Sequence, residues 1–280
     1  MVCQWQNVLN VLPGWMKQSV DELGREGLQE LRLRLGQAPK LCFQDDQKEL
    51  KRNVSKEDLS FVINTASRYS PWACATTAKG FITIPGGHRI GLGGDIIVKQ
   101  GEVCGLRWIS SICMRICADH PGIAQGIPKK GSVLVIGAPG CGKTTLLRDL
   151  IRMRSDFGAG SISVIDERGE IFPVNQERFC FFPGKNTDVL TGCPKDWGVD
   201  TAVRCLGSRA IAVDEITAEQ DCQALIHAGW CGVDVIATAH AASKQELFTR
   251  PVYKPLLEMG LFQYLVILNM DKSYHTERMI

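Results

Sequence analysis

An apolar, β-branched run at 133–136 leads directly into Gly137-Ala138-Pro139-Gly140-Cys141-Gly142-Lys143-Thr144, after which Thr145, Leu146, Leu147, Leu150 and Ile151 recur at helical spacing. Strand, glycine-rich loop and helix in that order fit the pattern G-x-x-x-x-G-K-[ST]. Glycines in such a loop let backbone N–H groups converge on phosphate oxygens, and the helix N-terminus adds its partial positive charge. Residues 137–145 are therefore expected to cradle a nucleotide's phosphates. Lys143 would reach the β and γ phosphates, and Thr144 would ligate magnesium. The alternative is a turn with an incidental Lys-Thr, which explains neither the preceding strand nor the following helix.

A phosphate cradle alone does not separate an ATPase from a kinase or a switch GTPase, so the acidic elements matter. The buried-type strand 210–213 ends in Asp214 and Glu215. Asp214 would hold magnesium directly or through water, and Glu215 would orient or deprotonate an attacking water. Two further strand ends carry polar groups, Asp166, Glu167, Arg168 and Glu170 after the run 162–165, and Thr238 and His240 in the run that begins at 233. Apolar β-branched runs alternating with helical patterns imply a parallel sheet with crossover helices. In an open sheet of that kind ligands bind beyond the carboxyl ends of the strands, so all these groups can face a γ-phosphate.

The first part of the chain has a different grammar. Leu31, Leu33 and Leu35 alternate with Arg32 and Arg34, as in a half-buried strand. Ser55 and Asp58 form a capping-box pattern ahead of Leu59, Val62, Ile63 and Ala66, a helix expected to run toward Tyr69 and to end by Pro71. Short apolar runs at 81–84, 96–98 and 103–109 are separated by Gly86-Gly87 and Gly93-Gly94, which suggests antiparallel hairpins turning at those glycines. The stretch 119–131, rich in Gly and Pro, reads as a linker. The expected organisation is thus a smaller α+β domain over residues 1–128 and an α/β domain over 129–280.

Charge narrows the functional classes. Before residue 128 there are 15 basic and 12 acidic residues, and after it 17 and 18, so neither half is a polybasic nucleic-acid surface. The longest apolar runs fall short of the roughly 20 residues that cross a bilayer, and the first dozen residues lack the pattern of a secretory signal. A cytoplasmic protein is expected. The 12 cysteines contain no Cys-x-x-Cys pair. Cys113, Cys117 and His120 fall one ligand short of a zinc set, and reduced thiols acting as small apolar side chains are the simpler reading.

The motifs in this order resemble the stage III sporulation protein AA family, a branch of the secretion-ATPase superfamily. The resemblance rests on the phosphate loop, on the segments 164–171, 188–195, 213–216 and 237–240, and on two stretches of the first domain, 31–36 and 80–91. It implies a RecA-like P-loop ATPase domain, ATP and Mg2+ as ligands, and a homo-hexameric ring. It also implies peripheral attachment on the mother-cell side to membrane proteins of a sporulation channel complex. By the same resemblance Asp166, Glu167 and Glu170 match an acidic box and His240 a histidine box, so that Glu167 or Glu170 competes with Glu215 for the role of base. Arg204 lies where a superfamily arginine contacts phosphate or a neighbouring subunit, and Arg89 and Arg107 are candidates to act in trans. The chain departs from secretion motors in carrying Asp214-Glu215 followed by Ile216-Thr217, where they have Gly-Glu and a basic residue. A RecA-like nucleic-acid translocase and an ATP-dependent assembly scaffold without essential hydrolysis are the rival readings.

Overall fold

A computed structural model describes residues 3–68, 80–99, 102–158, 160–175 and 177–279. Tyr69 and Pro71 lie outside the described residues. The chain packs as two compact units, Met1–Asp119 with Val174–Cys180, and His120–Pro173 with Phe181–Ile280.

In the first unit helices α1 (Trp5–Asn10), α2 (Gly14–Gly24) and α3 (Lys56–Arg68) accompany an antiparallel sheet ordered β3-β2-β1-β6-β5-β4. Its strands are β1 (Glu30–Arg34), β2 (Lys40–Cys42), β3 (Gln47–Glu49), β4 (Phe81–Ile84), β5 (His88–Lys99) and β6 (Glu102–Arg115). The alternation in β1 sends Leu31 and Leu33 into the core and leaves Glu30, Arg32 and Arg34 partly exposed. Leu35 falls just past the strand and is 41% exposed. The capping box forms reciprocally: Ser55 N–H donates to Asp58 Oδ2 (2.9 Å) and Asp58 N–H to Ser55 Oγ (3.2 Å). This starts α3 so that Leu59, Val62 and Ala66 are buried with Leu31, Leu33, Ile82 and Ile112.

Gly86-Gly87 turns the chain between β4 and β5, whereas Gly93-Gly94 does not turn it. The second pair sits inside β5 at a bulge, where the register against β6 shifts between Gly93 and Gly94. A Cβ on Gly94 would stand 2.1 Å from the Trp108 carbonyl oxygen, so glycine is needed there for strand contact. The runs 96–98 and 103–109 are accordingly parts of one long hairpin, β5–β6.

The second unit is built on a sheet ordered β11-β8-β12-β13-β7-β14-β15, parallel throughout except for the β14–β15 pair. Its strands are β7 (Val133–Gly137), β8 (Ile162–Asp166), β11 (Thr187–Thr191), β12 (Ala210–Val213), β13 (Asp234–His240), β14 (Tyr264–Leu268) and β15 (Tyr274–Arg278). The short β9 (Val174–Asn175) and β10 (Arg178–Phe179) belong to the first unit and, among the described residues, form a two-stranded sheet of their own. Helices α4 (Lys143–Asp156), α5 (Lys195–Arg204), α6 (Glu219–Trp230), α7 (Lys244–Thr249) and α8 (Lys254–Glu258) make the connections. Every residue of β7, β8 and β12 is buried, the burial expected of strands covered on both faces.

The expected junction at 128/129 lies within this second unit, and α4 accounts for it. Asp149 accepts hydrogen bonds from Gly122 N (3.0 Å) and Ala124 N (2.9 Å). Arg154, 2% exposed, donates to the carbonyls of Pro128 (2.7 Å) and Gly131 (2.8 Å). These side chains tie the Gly- and Pro-rich stretch to the helix that follows the phosphate loop. No described helix is long and apolar enough to cross a membrane.

Candidate active site

The carboxyl ends of β7, β8, β12 and β13 bring most of the expected groups together. At the end of β7, a Cβ on Gly137 would meet Cys141 Sγ and the Leu268 carbonyl oxygen, each at 2.6 Å, so only glycine lets the loop fold back this tightly. Cys141 is fully buried beneath the loop, and Gly142 caps α4 with φ 103°. Lys143, 7% exposed, donates from Nζ to the carbonyls of Gly137 (2.8 Å) and Ala138 (3.1 Å). Burial pushes its ammonium below the usual lysine range, while Cys141, Asp214 and Glu215 oppose that shift.

Next to the loop, Thr144 Oγ1 donates to Asp214 Oδ2 at 2.7 Å. The other carboxylate oxygen accepts from Thr238 Oγ1 at 2.5 Å, and Thr238 Oγ1 in turn accepts from Glu215 N–H at 2.7 Å. One hydroxyl on β13 therefore fixes both residues at the end of β12. It holds Glu215 in a left-handed conformation, φ 51°, which costs a non-glycine residue roughly 1–2 kcal/mol. The hydroxyl of Thr144 and the carboxylate of Asp214 are hard oxygen donors of the kind magnesium takes alongside phosphate oxygens, so the residues fit that ion. Among the described residues no group of three or more His, Cys, Asp and Glu is placed to hold a metal. Cys113 instead points Sγ at Glu30 Oε2, 3.7 Å away.

His240, last in β13, bridges the two halves of the site. Its Nδ1 lies 3.1 Å from Lys143 Nζ and its Nε2 lies 2.6 Å from Glu215 Oε1. Both contacts are satisfied when the ring carries its hydrogen on Nε2, accepting from Lys143 and donating to Glu215. Glu215 Oε2 also receives Arg168 Nη1 at 3.0 Å. A continuous chain Lys143–His240–Glu215–Arg168 thus joins the phosphate loop to the segment after β8.

Within that segment the acidic residues have separate tasks. Asp166, 2% exposed, accepts from the backbone N–H groups of Glu170 (2.8 Å), Ile171 (3.1 Å) and Phe172 (2.9 Å), so it shapes the turn from inside. Burial raises its pKa above the usual carboxylate range, and those three donors offset part of the shift. Glu167 pairs with Lys195 Nζ at 3.1 Å, and the same ammonium reaches Asp221 at 3.3 Å. Glu167, Arg168 and Glu170 line one cleft with Lys195, Asp214 and Glu215. Arg204 lies at the other end of α5 from Lys195, pairs with Asp200 Oδ1 at 2.7 Å and is largely exposed. Arg89 stacks 3.9 Å over the Phe81 ring, and Arg107 pairs with Asp95 at 3.1 Å.

Three basic residues at this site are not among the site residues expected from the sequence. Lys195 opens α5 and enters the cleft, Arg148 on α4 donates to the carbonyls of Glu170 (3.0 Å) and Ile171 (2.5 Å), and Lys272 donates to the Gly140 carbonyl at 2.9 Å. Lys195 follows Cys193-Pro194, where a proline ahead of a helix is a detectable start signal.

With this geometry in view, the comparisons are specific. The chain matches the family described as "Sporulation stage III, protein AA" over residues 4–279. It is 34% identical over 284 residues to stage III sporulation protein AA of Bacillus subtilis (strain 168), covering 95% of this chain and 91% of that protein. Among solved structures it is similar to the Legionella pneumophila ATPase DotB, with TM-score 0.54 and 18% identity over 95% of this chain and 80% of the other. It is also similar to the pilus retraction motor PilT bound to ADP, with TM-score 0.58 and 17% identity over 89% and 76% of the two chains. At such identities these likenesses establish the fold, a RecA-like P-loop domain with a smaller α+β domain before it.

Proposed function

The chain belongs to the sporulation stage III protein AA family, and from that premise we propose that it binds and hydrolyses ATP. Its turnover drives an oligomeric ring, a hexamer on the resemblance to secretion motors, on the mother-cell side of a sporulation channel complex. There it energises assembly of the channel or transport through it. The observation that carries this reading is the contact chain from Lys143 through His240 to Glu215, set beside the Thr144–Asp214 pair. A nucleotide-holding fold needs the loop and Asp214; it does not need a glutamate held in a strained conformation and wired to the phosphate lysine.

In this mechanism Lys143 exchanges its loop carbonyls for the β and γ phosphates, and the loop N–H groups spread the remaining charge. Thr144 and Asp214 would hold magnesium, which when bound neutralises charge on the β and γ oxygens. Glu215 orients the attacking water and takes its proton. His240 feels both groups, so the phosphate contact of Lys143 and the position of Glu215 are linked through one imidazole. Glu167, committed to Lys195, and Asp166, committed to three backbone donors, are held in structural roles, which favours Glu215 as the base. Glu170 lines the cleft beside it. Arg204, Arg89 and Arg107 are left to act across a subunit boundary, and the first unit supplies the partner contacts.

Lys143→Ala is expected to abolish binding of a fluorescent ATP analogue. Glu215→Gln is expected to keep binding while turnover falls on the order of 100-fold or more. Full turnover by both variants refutes the site. Normal spore formation with a Glu215→Gln protein that binds but does not hydrolyse ATP would favour the scaffold reading instead.

A further inference from the structure

The phosphate loop has a second lysine beside it, delivered by a different element. Strand β14 is the parallel neighbour of β7 on the side away from β13, in register Ile267 with Ile136, so the turn that follows β14 emerges next to the loop. That turn is closed from within: Asn269 N donates to Ser273 O (2.9 Å), and Lys272 N to Asn269 O (3.1 Å). Asp271 Oδ1 accepts from Ser273 N (2.9 Å) and Ser273 Oγ (2.6 Å). The closure holds Lys272 at φ 72°, a left-handed conformation that side chains other than Gly, Asn and Asp rarely take. From there the exposed Lys272 side chain crosses toward Gly142, where an added Cβ would lie 3.8 Å from its Cδ, and Nζ reaches the Gly140 carbonyl at 2.9 Å. The strained backbone and the single contact together aim an ammonium at the rim of the loop.

The side of the loop matters. Asp214, Glu215 and His240 end β12 and β13, so the terminal phosphate and its hydrolysis belong on that side of β7. Those strands occupy that side, and Lys272 stands on the opposite, β14 side of the loop, open to the rest of a nucleotide. Resting on the ATPase reading above, we propose that Lys272 is a nucleotide-binding residue. It transfers its hydrogen bond from the Gly140 carbonyl to the inner phosphate or ribose of the bound nucleotide, and so contributes equally to ATP and ADP affinity. It has no part in the chemical step.

The test is equilibrium binding of fluorescent ATP and ADP analogues to full-length protein, with steady-state turnover. Lys272→Asn suits the left-handed backbone and removes the charge; Lys272→Gly does so without any side chain, and Lys272→Arg keeps the charge. Asn and Gly variants are expected to bind both nucleotides about five- to tenfold more weakly, less than a buried charge-assisted hydrogen bond contributes because water screens the exposed ammonium, with kcat within twofold and KM raised. Lys272→Arg is expected to restore most of the affinity. Unchanged affinity in the Asn and Gly variants overturns the proposal, as does a loss confined to ATP, which would place the lysine at the γ-phosphate. Wild-type protein that binds neither nucleotide overturns the ATPase reading itself, a result distinct from either of these.

Discussion

Thr238→Val isolates the device that sets the end of β12. Valine has nearly the same shape, so the fully buried site keeps its volume and only the hydroxyl is lost. Two bonds go with it, one to the Asp214 carboxylate and one from Glu215 N–H. A hydrogen bond to a charged group contributes about 1.5–3 kcal/mol, and a donor left without an acceptor in a partly buried place costs about 1–3 kcal/mol. Methyl for hydroxyl returns up to about 0.8 kcal/mol. The net expectation is a loss of about 3 kcal/mol, which for a unit of this size lowers Tm by roughly 6–12 °C. Thr238→Ser keeps both bonds and loses one methyl, so it should cost about 1 kcal/mol and leave turnover nearly intact. Melting followed by far-ultraviolet circular dichroism, without nucleotide, gives the stability difference, and ATP turnover gives the functional one. If Val and Ser variants melt together, or if the Val variant hydrolyses ATP like wild type, the hydroxyl does not position Glu215 and the reasoning fails.

Two further outcomes follow from the same geometry. Asp166→Asn turns an amide N–H toward backbone donors that now meet carboxylate oxygens, so the unit should lose about 2–4 kcal/mol in urea unfolding and turnover should fall with it; an unchanged midpoint would show that the turn closes without this carboxylate. In the first unit, burial lowers the pKa of His88 to about 4 while its Nδ1 accepts from Cys117 N–H and its Nε2 faces the Gln4 carbonyl. The unfolded imidazole binds its proton near pH 6.5 and the folded one only near pH 4, so its stabilising contribution is complete above pH 6.5 and is lost as the pH falls toward 4, by about 3 kcal/mol. His88→Gln should flatten that part of the pH–stability curve, and an equally steep curve in the variant would assign the acid sensitivity to other groups.

What the sequence conveys about this fold is set by the range of the interactions involved. The loop 137–144, the strand ending in Asp214 and the capping box at Ser55 and Asp58 are local patterns, and each forms where its residues place it. Gly93-Gly94 misleads because a glycine pair signals backbone freedom without saying whether a turn or a bulge uses it; the decision is made by Trp108 on the neighbouring strand. The stretch 120–128 has linker composition yet is bound by Asp149 and Arg154, more than 20 residues later in the chain. Strands β11 and β14 escape notice for a related reason: β11 carries Thr187, Asp188 and Thr191 on the sheet's edge, and β14 reads equally well as an apolar run of a buried helix.

The competition among carboxylates shows the same limit at the site itself. Asp166, Glu167, Glu170 and Glu215 are chemically equivalent in a sequence, and family resemblance points to both acidic segments. Their environments separate them. Asp166 is spent on three backbone donors, and Glu167 faces an ammonium that is itself 7% exposed and shared with Asp221. A carboxylate so engaged must break a charge-assisted contact before it can accept a proton from water. Glu215 is held too, by Arg168 on one oxygen and by His240 on the other, and on the proposed reading the second contact leads to the reaction: His240 touches Lys143, and Lys143 is the group that nucleotide phosphates would draw away from the loop carbonyls. Engagement of the lysine by phosphate would therefore loosen one end of the chain that restrains Glu215, coupling readiness of the base to the presence of the γ-phosphate. On the proposed ATPase reading, that dependence would distinguish an enzyme gated by its substrate from a fold that merely holds a nucleotide, and it would reside in the His240 imidazole at the end of β13.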